Sequence, residues 1–251
     1  MKKCFALLLL QLFVSSVQGS IYDYIYPHYD TPTISNYGTT GLLQNPTARL
    51  HEEVTLAFSW SHNDPYLRGS LLAYPFDWFE ASYQYTDVNN ALYSDVPAFS
   101  GDQTYKDKSF DAKIRLKKEG LIIPQIAVGF RDLAGTGMFS SEYLVFSKRV
   151  NFIDFSFGLA WGAMGSQNYS NPLSDIDGSF DERTKPQGTQ GGEFTLGSYF
   201  SGPMGAFAGA DIALPNLNGV RMMLEYDATN YEVEGLTNIE NPFVFDLPKK
   251  Q

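Results

Sequence analysis

Apolar and polar residues alternate along much of the chain with a period of two, the spacing of a pleated strand whose two faces meet different surroundings. Val54 to Trp60 sets Val54, Leu56, Phe58 and Trp60 against Thr55, Ala57 and Ser59. Asp77 to Thr86 sets Phe79, Ala81, Tyr83 and Tyr85 against Glu80, Ser82, Gln84 and Thr86, and Phe152 to Gly162 sets Ile153, Phe155, Phe157, Leu159 and Trp161 against Asp154, Ser156, Gly158 and Ala160. In Lys106 to Lys117, Phe110, Ala112, Ile114 and Leu116 oppose Asp111, Lys113, Arg115 and Lys117; in Val220 to Asp227, Val220, Met222, Leu224 and Tyr226 oppose Arg221, Met223, Glu225 and Asp227. Ten strands are predicted: Glu53–Trp60, Tyr66–Tyr74, Asp77–Thr86, Lys106–Lys117, Pro124–Arg131, Glu142–Arg149, Phe152–Gly162, Glu193–Phe200, Met204–Ile212 and Val220–Asp227. Glu142–Arg149 is the least regular, since neither of its faces is cleanly apolar.

A charged strand face cannot form a dry core, because burying unpaired ions costs several kcal/mol each. Apolar faces turned to lipid and polar faces turned inward satisfy all ten strands together. The expected fold is therefore all-β, an antiparallel up-and-down transmembrane β-barrel of about ten strands. A soluble β-sandwich or lipocalin-like barrel with apolar faces inward has the same alternation and remains the alternative. The connections favour the membrane barrel. Pro75-Phe76, Lys118–Ile123, Val150-Asn151 and Ser201–Pro203 are short, whereas the alternate set, Ser61–Pro65, Asp87–Tyr105, Asp132–Ser141, Ala163–Gly192 and Ala213–Gly219, is longer on the whole. Outer-membrane barrels have this asymmetry, with tight periplasmic turns and longer outer loops. Trp60, Tyr66, Trp78, Tyr83, Tyr85, Tyr143, Phe152, Trp161 and Phe200 lie near strand ends, where an interfacial aromatic girdle would be.

Composition agrees with sheet: 22 Gly, 16 Tyr, 19 Phe and 3 Trp in 251 residues. After the first twenty residues no apolar run reaches the roughly 18 residues of a spanning helix. Residues 1–19 read as a signal peptide, with Lys2 and Lys3, an apolar stretch from Cys4 to Val14, and small residues at Val17 and Gly19. Cys4 is the single cysteine, so the processed chain is expected to have no disulfide, no cysteine metal ligand and no lipid-bearing thiol. Residues 20–52, rich in Tyr and then in turn formers such as Gly38, Gly41 and Asn45-Pro46, read as a periplasmic lead-in. Residues 53–227 form the barrel and 228–251 a polar tail. Net charge is −10, and losing Lys2 and Lys3 takes it to −12, which excludes a phosphate-tracking nucleic-acid surface.

Catalytic chemistry finds little support. His28, His51 and His62 are the histidines, with no paired-ligand spacing, and turn or surface roles account for them. His62 lies near Ser59 and Ser61 without any nucleophile motif. Asp77 and Glu80, three apart on a strand, point to opposite faces and do not make a glycosidase pair. The charged candidates belong to the interior: Glu80, Asp111, Lys113, Arg115, Lys117, Arg131, Asp154, Arg221 and Glu225. Two readings stay open, a lumen of separated charges for a polar or anionic solute and a lumen sealed by mutual ion pairs.

The stretch PTISNYGTTGLLQNPTARLHEEVTLAFSWSHNDPYLRGSLLAYPFDWFEASYQYTDV, with KDKSFDAKIRL, PQIAVGFRDLAGTGMFSSEYLVFSK and DFSFGLAWG after it, resembles the amino-terminal part of the YjbH family of exopolysaccharide and capsule biosynthesis proteins, over about Thr31 to Tyr231. The resemblance implies a bacterial outer-membrane β-barrel that works with exopolysaccharide or group 4 capsule operons in polymer export, with no catalytic motif to transfer and no cofactor. It implies as partners outer-membrane lipid, polysaccharide and other proteins of such operons, and no nucleic acid. Members of that family are considerably longer, so the polar tail reads as a truncated continuation. A passive porin-like channel for small polar solutes and a soluble periplasmic carbohydrate-binding β-protein are the competing functions.

Overall fold

In the computed structural model of the chain, residues 31–94, 96–165, 167–183, 199–214, 217 and 219–229 are described. Nine strands form one antiparallel sheet in strict sequence order: β1 (Thr55–Asn63), β2 (Tyr66–Phe76), β3 (Phe79–Leu92), β4 (Thr104–Lys117), β5 (Gln125–Arg131), β6 (Ser141–Val150), β7 (Ile153–Gly162), β8 (Met204–Ala213) and β9 (Arg221–Tyr226). They correspond to nine of the ten expected strands. The other, Glu193–Phe200, falls largely outside the described residues, and no strand is inserted at its place in the sheet, because β8 pairs directly with β7, Ile153 opposite Ile212 through Trp161 opposite Met204. The ends at which the later connections emerge are exchanged as a result. The connection 214–220 joins the tight-turn end with 77–78, 118–124 and 151–152, while 93–103, 132–140 and 163–203 share the other end with the short 64–65 turn.

The sheet is not closed into a barrel: among the described residues β1 pairs only with β2 and β9 only with β8. It is nonetheless strongly curled. The backbone N–H of Thr40 donates to Glu80 on β3, and that of Leu43 donates to Glu225 on β9. Three residues reach at most about 11 Å, whereas six strand spacings on a flat sheet would separate β3 from β9 by about 29 Å. The strands must therefore wrap round the segment that touches both.

The two faces are inverted relative to a water-soluble sheet. On the convex side Leu56, Phe58 and Trp60 are 75 %, 68 % and 65 % exposed, and Leu71, Phe110, Leu116, Phe155, Phe157 and Leu224 continue the exposed apolar surface. The concave side buries Arg68, Glu80, Asp111 and Lys113 with Ser70, Gln84 and Thr86. The arrangement with apolar faces inward is thus not adopted. Two expected girdle aromatics, Tyr66 and Tyr143, instead lie buried on the concave side. A glycine explains Tyr143: it stands opposite Gly129, and a Cβ there would come within 2.2 Å of its ring. Phe207 covers Gly158 in the same way across β7 and β8, at 2.1 Å. The missing side chains let aromatic rings lie flat across the neighbouring strand and narrow the interior.

Candidate functional site

The interior is occupied by the chain's own residues 33–50, which run across the concave face before the first strand begins. Short local bonds give this segment its shape. Ser35 N–H reaches the Thr39 carbonyl at 2.9 Å, Leu42 N–H the Asn45 carbonyl at 2.9 Å, and Thr33 Oγ1 the Gly41 carbonyl at 2.5 Å. Gly38 has φ 66° and no space for a Cβ, which would fall 1.8 Å from Ser70 Oγ, so only glycine lets the turn seat against β2.

Irregular backbone buried in this way needs external partners for its N–H and C=O groups, and the sheet's charged and amide side chains supply them. Glu80 accepts from Thr40 N–H at 3.0 Å and pairs with Lys113 at 3.1 Å, both side chains 1 % exposed; Lys113 Nζ donates to the Thr40 carbonyl at 2.9 Å. Arg131 donates to the Gln44 carbonyl at 2.7 Å, Gln125 to the Ala48 carbonyl at 2.5 Å and Gln84 to the Tyr37 carbonyl. Ser147 accepts from Ala48 N–H at 2.8 Å, and Glu225 accepts from Leu43 N–H and, at 3.0 Å, from Gln44 N–H. The Tyr37 ring is clasped between two guanidiniums, Arg68 at 4.4 Å and Arg131 at 4.0 Å from its centroid, a cation–π pairing strengthened by the exclusion of water.

At the tight-turn end Arg49 extends from the segment to Asp154, with two bonds of 2.8 Å, and to Glu119 at 2.6 Å. Burial works against the Arg49 charge, but Asp154 and Glu119 outweigh it and hold the guanidinium more firmly protonated than usual. Burial likewise opposes the Glu119 charge, and Arg49 leads the contacts that bring its carboxyl below the usual range. His51 packs at a tilt against Tyr74, ring centroids 4.9 Å apart, and burial lowers its pKa, favouring the neutral ring. At the opposite end Asp132, just past β5 with φ 51°, is pushed up to about 8 by burial and then by the neighbouring Asp107 charge.

Of the nine interior candidates, Glu80, Asp111, Lys113, Arg131 and Asp154 are buried on the concave face. Asp111 accepts from Asp132 N–H at 2.7 Å and from Ser82 Oγ at 3.1 Å. Arg221 is partly buried and donates to Asp211 at 2.9 Å and to the Thr31 carbonyl at 2.8 Å. Arg115 bridges to Asp77 at 2.9 Å near the tight-turn rim, Glu225 is half-buried against the filling segment, and Lys117 is exposed at the end of β4. The sheet thus brings most of these residues to one surface, but around a filled space. Sequence reasoning missed Tyr37, Arg49 and Arg68. The lead-in works through its backbone amides and carbonyls, which leave no side-chain periodicity to read.

Elsewhere, Glu142 is buried on the convex side rather than the concave one. Two residues of the 163–203 connection lie against it, Arg183 donating to its two carboxylate oxygens at 2.7 and 2.8 Å and Phe200 N–H at 2.9 Å. Ser59 and His62 alternate to opposite faces, and His62 instead meets Asp64 at 2.9 Å. Asp77 lies in a turn bound to Arg115 and Lys118, away from Glu80. His28 lies outside the described residues. Among the described residues no group of three or more His, Cys, Asp or Glu is placed to hold a metal ion, and no helix is long and apolar enough to cross a membrane.

A curled antiparallel sheet with an apolar exterior and a polar interior filled by its own leading segment defines the class of this protein. Its sequence relationships are specific. The chain belongs to the YjbH family, described as "Exopolysaccharide biosynthesis protein YbjH", whose profile matches residues 33–244. It is 41 % identical over 240 residues to the "Uncharacterized lipoprotein YjbH" of Escherichia coli (strain K12), covering 95 % of this chain and 34 % of that protein. The chain therefore spans about a third of the length of that relative. No solved structure matches it.

Proposed function

We propose that this chain is the membrane-embedded front section of a non-enzymatic outer-membrane component of exopolysaccharide or capsule biosynthesis and export. The carrying observation is the exposed apolar surface that runs over the convex side from Leu56 and Phe58 on β1 to Met222 and Leu224 on β9. Hydrocarbon is the solvent that such a surface fits, and strands tolerate it in a closed barrel, so the outer edges of β1 and β9, unpaired among the described residues, would take partner strands beyond the described sheet. The family's description as exopolysaccharide biosynthesis supports the polymer, and the lipoprotein name of the Escherichia coli relative supports the cell envelope. The connections 93–103, 132–140 and 163–203 then face outward, where polysaccharide and partner proteins of the same operon meet them, and 77–78, 118–124, 151–152 and 214–220 face the periplasm. The filled interior favours a scaffold or assembly role over a passive channel for this section. Membrane fractionation tests the reading: the protein should need detergent for extraction, and planar-bilayer recordings should find no steady ion conductance. Recovery from the periplasm without detergent would overturn it.

A further inference from the structure

On the convex side, beneath the 93–103 connection, lies a feature that the interior does not involve. Register places Tyr83 opposite Phe110, Tyr85 opposite Lys108 and Asp87 opposite Lys106 on the outward face. The wall therefore changes from aromatic to cationic on approach to the long-loop end. Tyr83 and Phe110 approach to 5.1 Å between ring centroids. Tyr93 and Phe99 stack at 6.4 Å and overhang the wall, and residues 134–136 close the far side of a cleft of about 660 Å³. Lys106 is held by Asp87, while Lys108 is exposed and no described carboxylate pairs with it. With Asp87 offsetting Lys106, Lys108 leaves the cleft with one uncompensated positive charge in a chain of net charge −10, a local preference for anions.

We propose that this cleft binds one anionic lipid, its phosphate against Lys108 and its acyl chain along Tyr83 and Phe110. The inference rests on the lipid-facing reading of the convex side. An aromatic cleft also suits a sugar ring, but a neutral sugar gains nothing from the Lys108 ammonium, and on the lipid-facing reading the cleft opens along an apolar wall. Phe99, 75 % exposed, would be covered by the bound lipid.

The full chain in zwitterionic detergent is titrated with diphosphorylated lipid A, with phosphatidylcholine and with a neutral oligosaccharide, and retained adducts are counted by native mass spectrometry. Liposome flotation is run on the same preparations. One lipid A should be retained in preference to phosphatidylcholine, with an affinity reduced about fivefold in Lys108→Gln. Phe99→Ala should lose affinity too. Lys117→Gln, at the other end of β4, should bind as the unaltered protein does, and all variants should float. Equal retention of phosphatidylcholine or the oligosaccharide, or undiminished lipid A binding by Lys108→Gln, in protein that still floats, overturns the site alone. Failure of the unaltered protein to float overturns the lipid-facing reading and the site with it.

Discussion

Replacing Lys113 by Met removes the ammonium from an ion pair in which both side chains are 1 % exposed. Glu80 then keeps only neutral donors, Thr40 N–H at 3.0 Å and the Tyr74 hydroxyl, and the Thr40 carbonyl loses its 2.9 Å bond. Removing one member of a buried pair costs about 3–5 kcal/mol, because the surviving charge is left uncompensated. Neutralising both members costs far less, so Glu80→Gln/Lys113→Met, which preserves an acceptor for Thr40, should regain about 2 kcal/mol of the loss. Equilibrium urea unfolding in micelles, followed by tryptophan fluorescence, gives these differences. Trypsin supplies an independent readout. Arg49 is held by Asp154 and Glu119, so cleavage after it requires residues 33–50 to leave the interior, and Lys113→Met should accelerate that cut. A single variant within about 1 kcal/mol of the unaltered protein, with Arg49 equally protected and additive effects in the double variant, would refute the idea that the interior charges hold the segment in place.

Asp132 should make stability pH-dependent. Its carboxyl titrates near 8 when folded and near 4 when unfolded, so between those values the folded state holds the extra proton and stability falls as pH rises, by up to about 1.4 kcal/mol per pH unit. Asp132→Asn should flatten that part of a stability profile measured from pH 5 to 9. Val54 has φ 61° where the segment passes into β1, a costly conformation for a β-branched residue; in thermal unfolding Val54→Gly should be neutral or stabilising by about 1 kcal/mol, opposite to the usual effect of glycine near a strand. Gly158→Ala should destabilise by about 1–3 kcal/mol in urea unfolding, since its Cβ would meet the Phe207 ring at 2.1 Å, and Phe207→Leu in the same chain should recover part of the loss.

Nine strands, their faces and the interior position of Glu80, Asp111, Lys113, Arg131 and Asp154 were legible from a period of two, because burial on one side imposes it residue by residue. The contents of the interior were not. Residues 33–50 look like a linker, with Gly38, Gly41 and Asn45-Pro46 at the turns, and nothing in the type of Thr40 or Leu43 announces that its backbone N–H will meet a carboxylate on a distant strand. The irregular pattern of β6 also has its cause in the tertiary structure. Tyr143 turns inward over Gly129, and Glu142 turns outward beneath Arg183, so each lies on the side where its chemistry is unexpected until its neighbour is known. The extra strand at Glu193–Phe200 shows the same limit: a connection can carry alternation without being inserted between β7 and β8.

Leu43 and Glu225 stand 182 residues apart in the chain, so the bond between them forms only after almost every strand has been laid down. A hairpin-by-hairpin meander would ordinarily assemble through local neighbours, yet here the last of the described strands is gathered in by a stretch preceding the first. Closing so long a loop costs entropy that only the finished sheet repays, and it makes the leading segment a mandrel on which the sheet is wound. A chain lacking residues 33–50 would still have every hairpin it needs, and no core to bend them around.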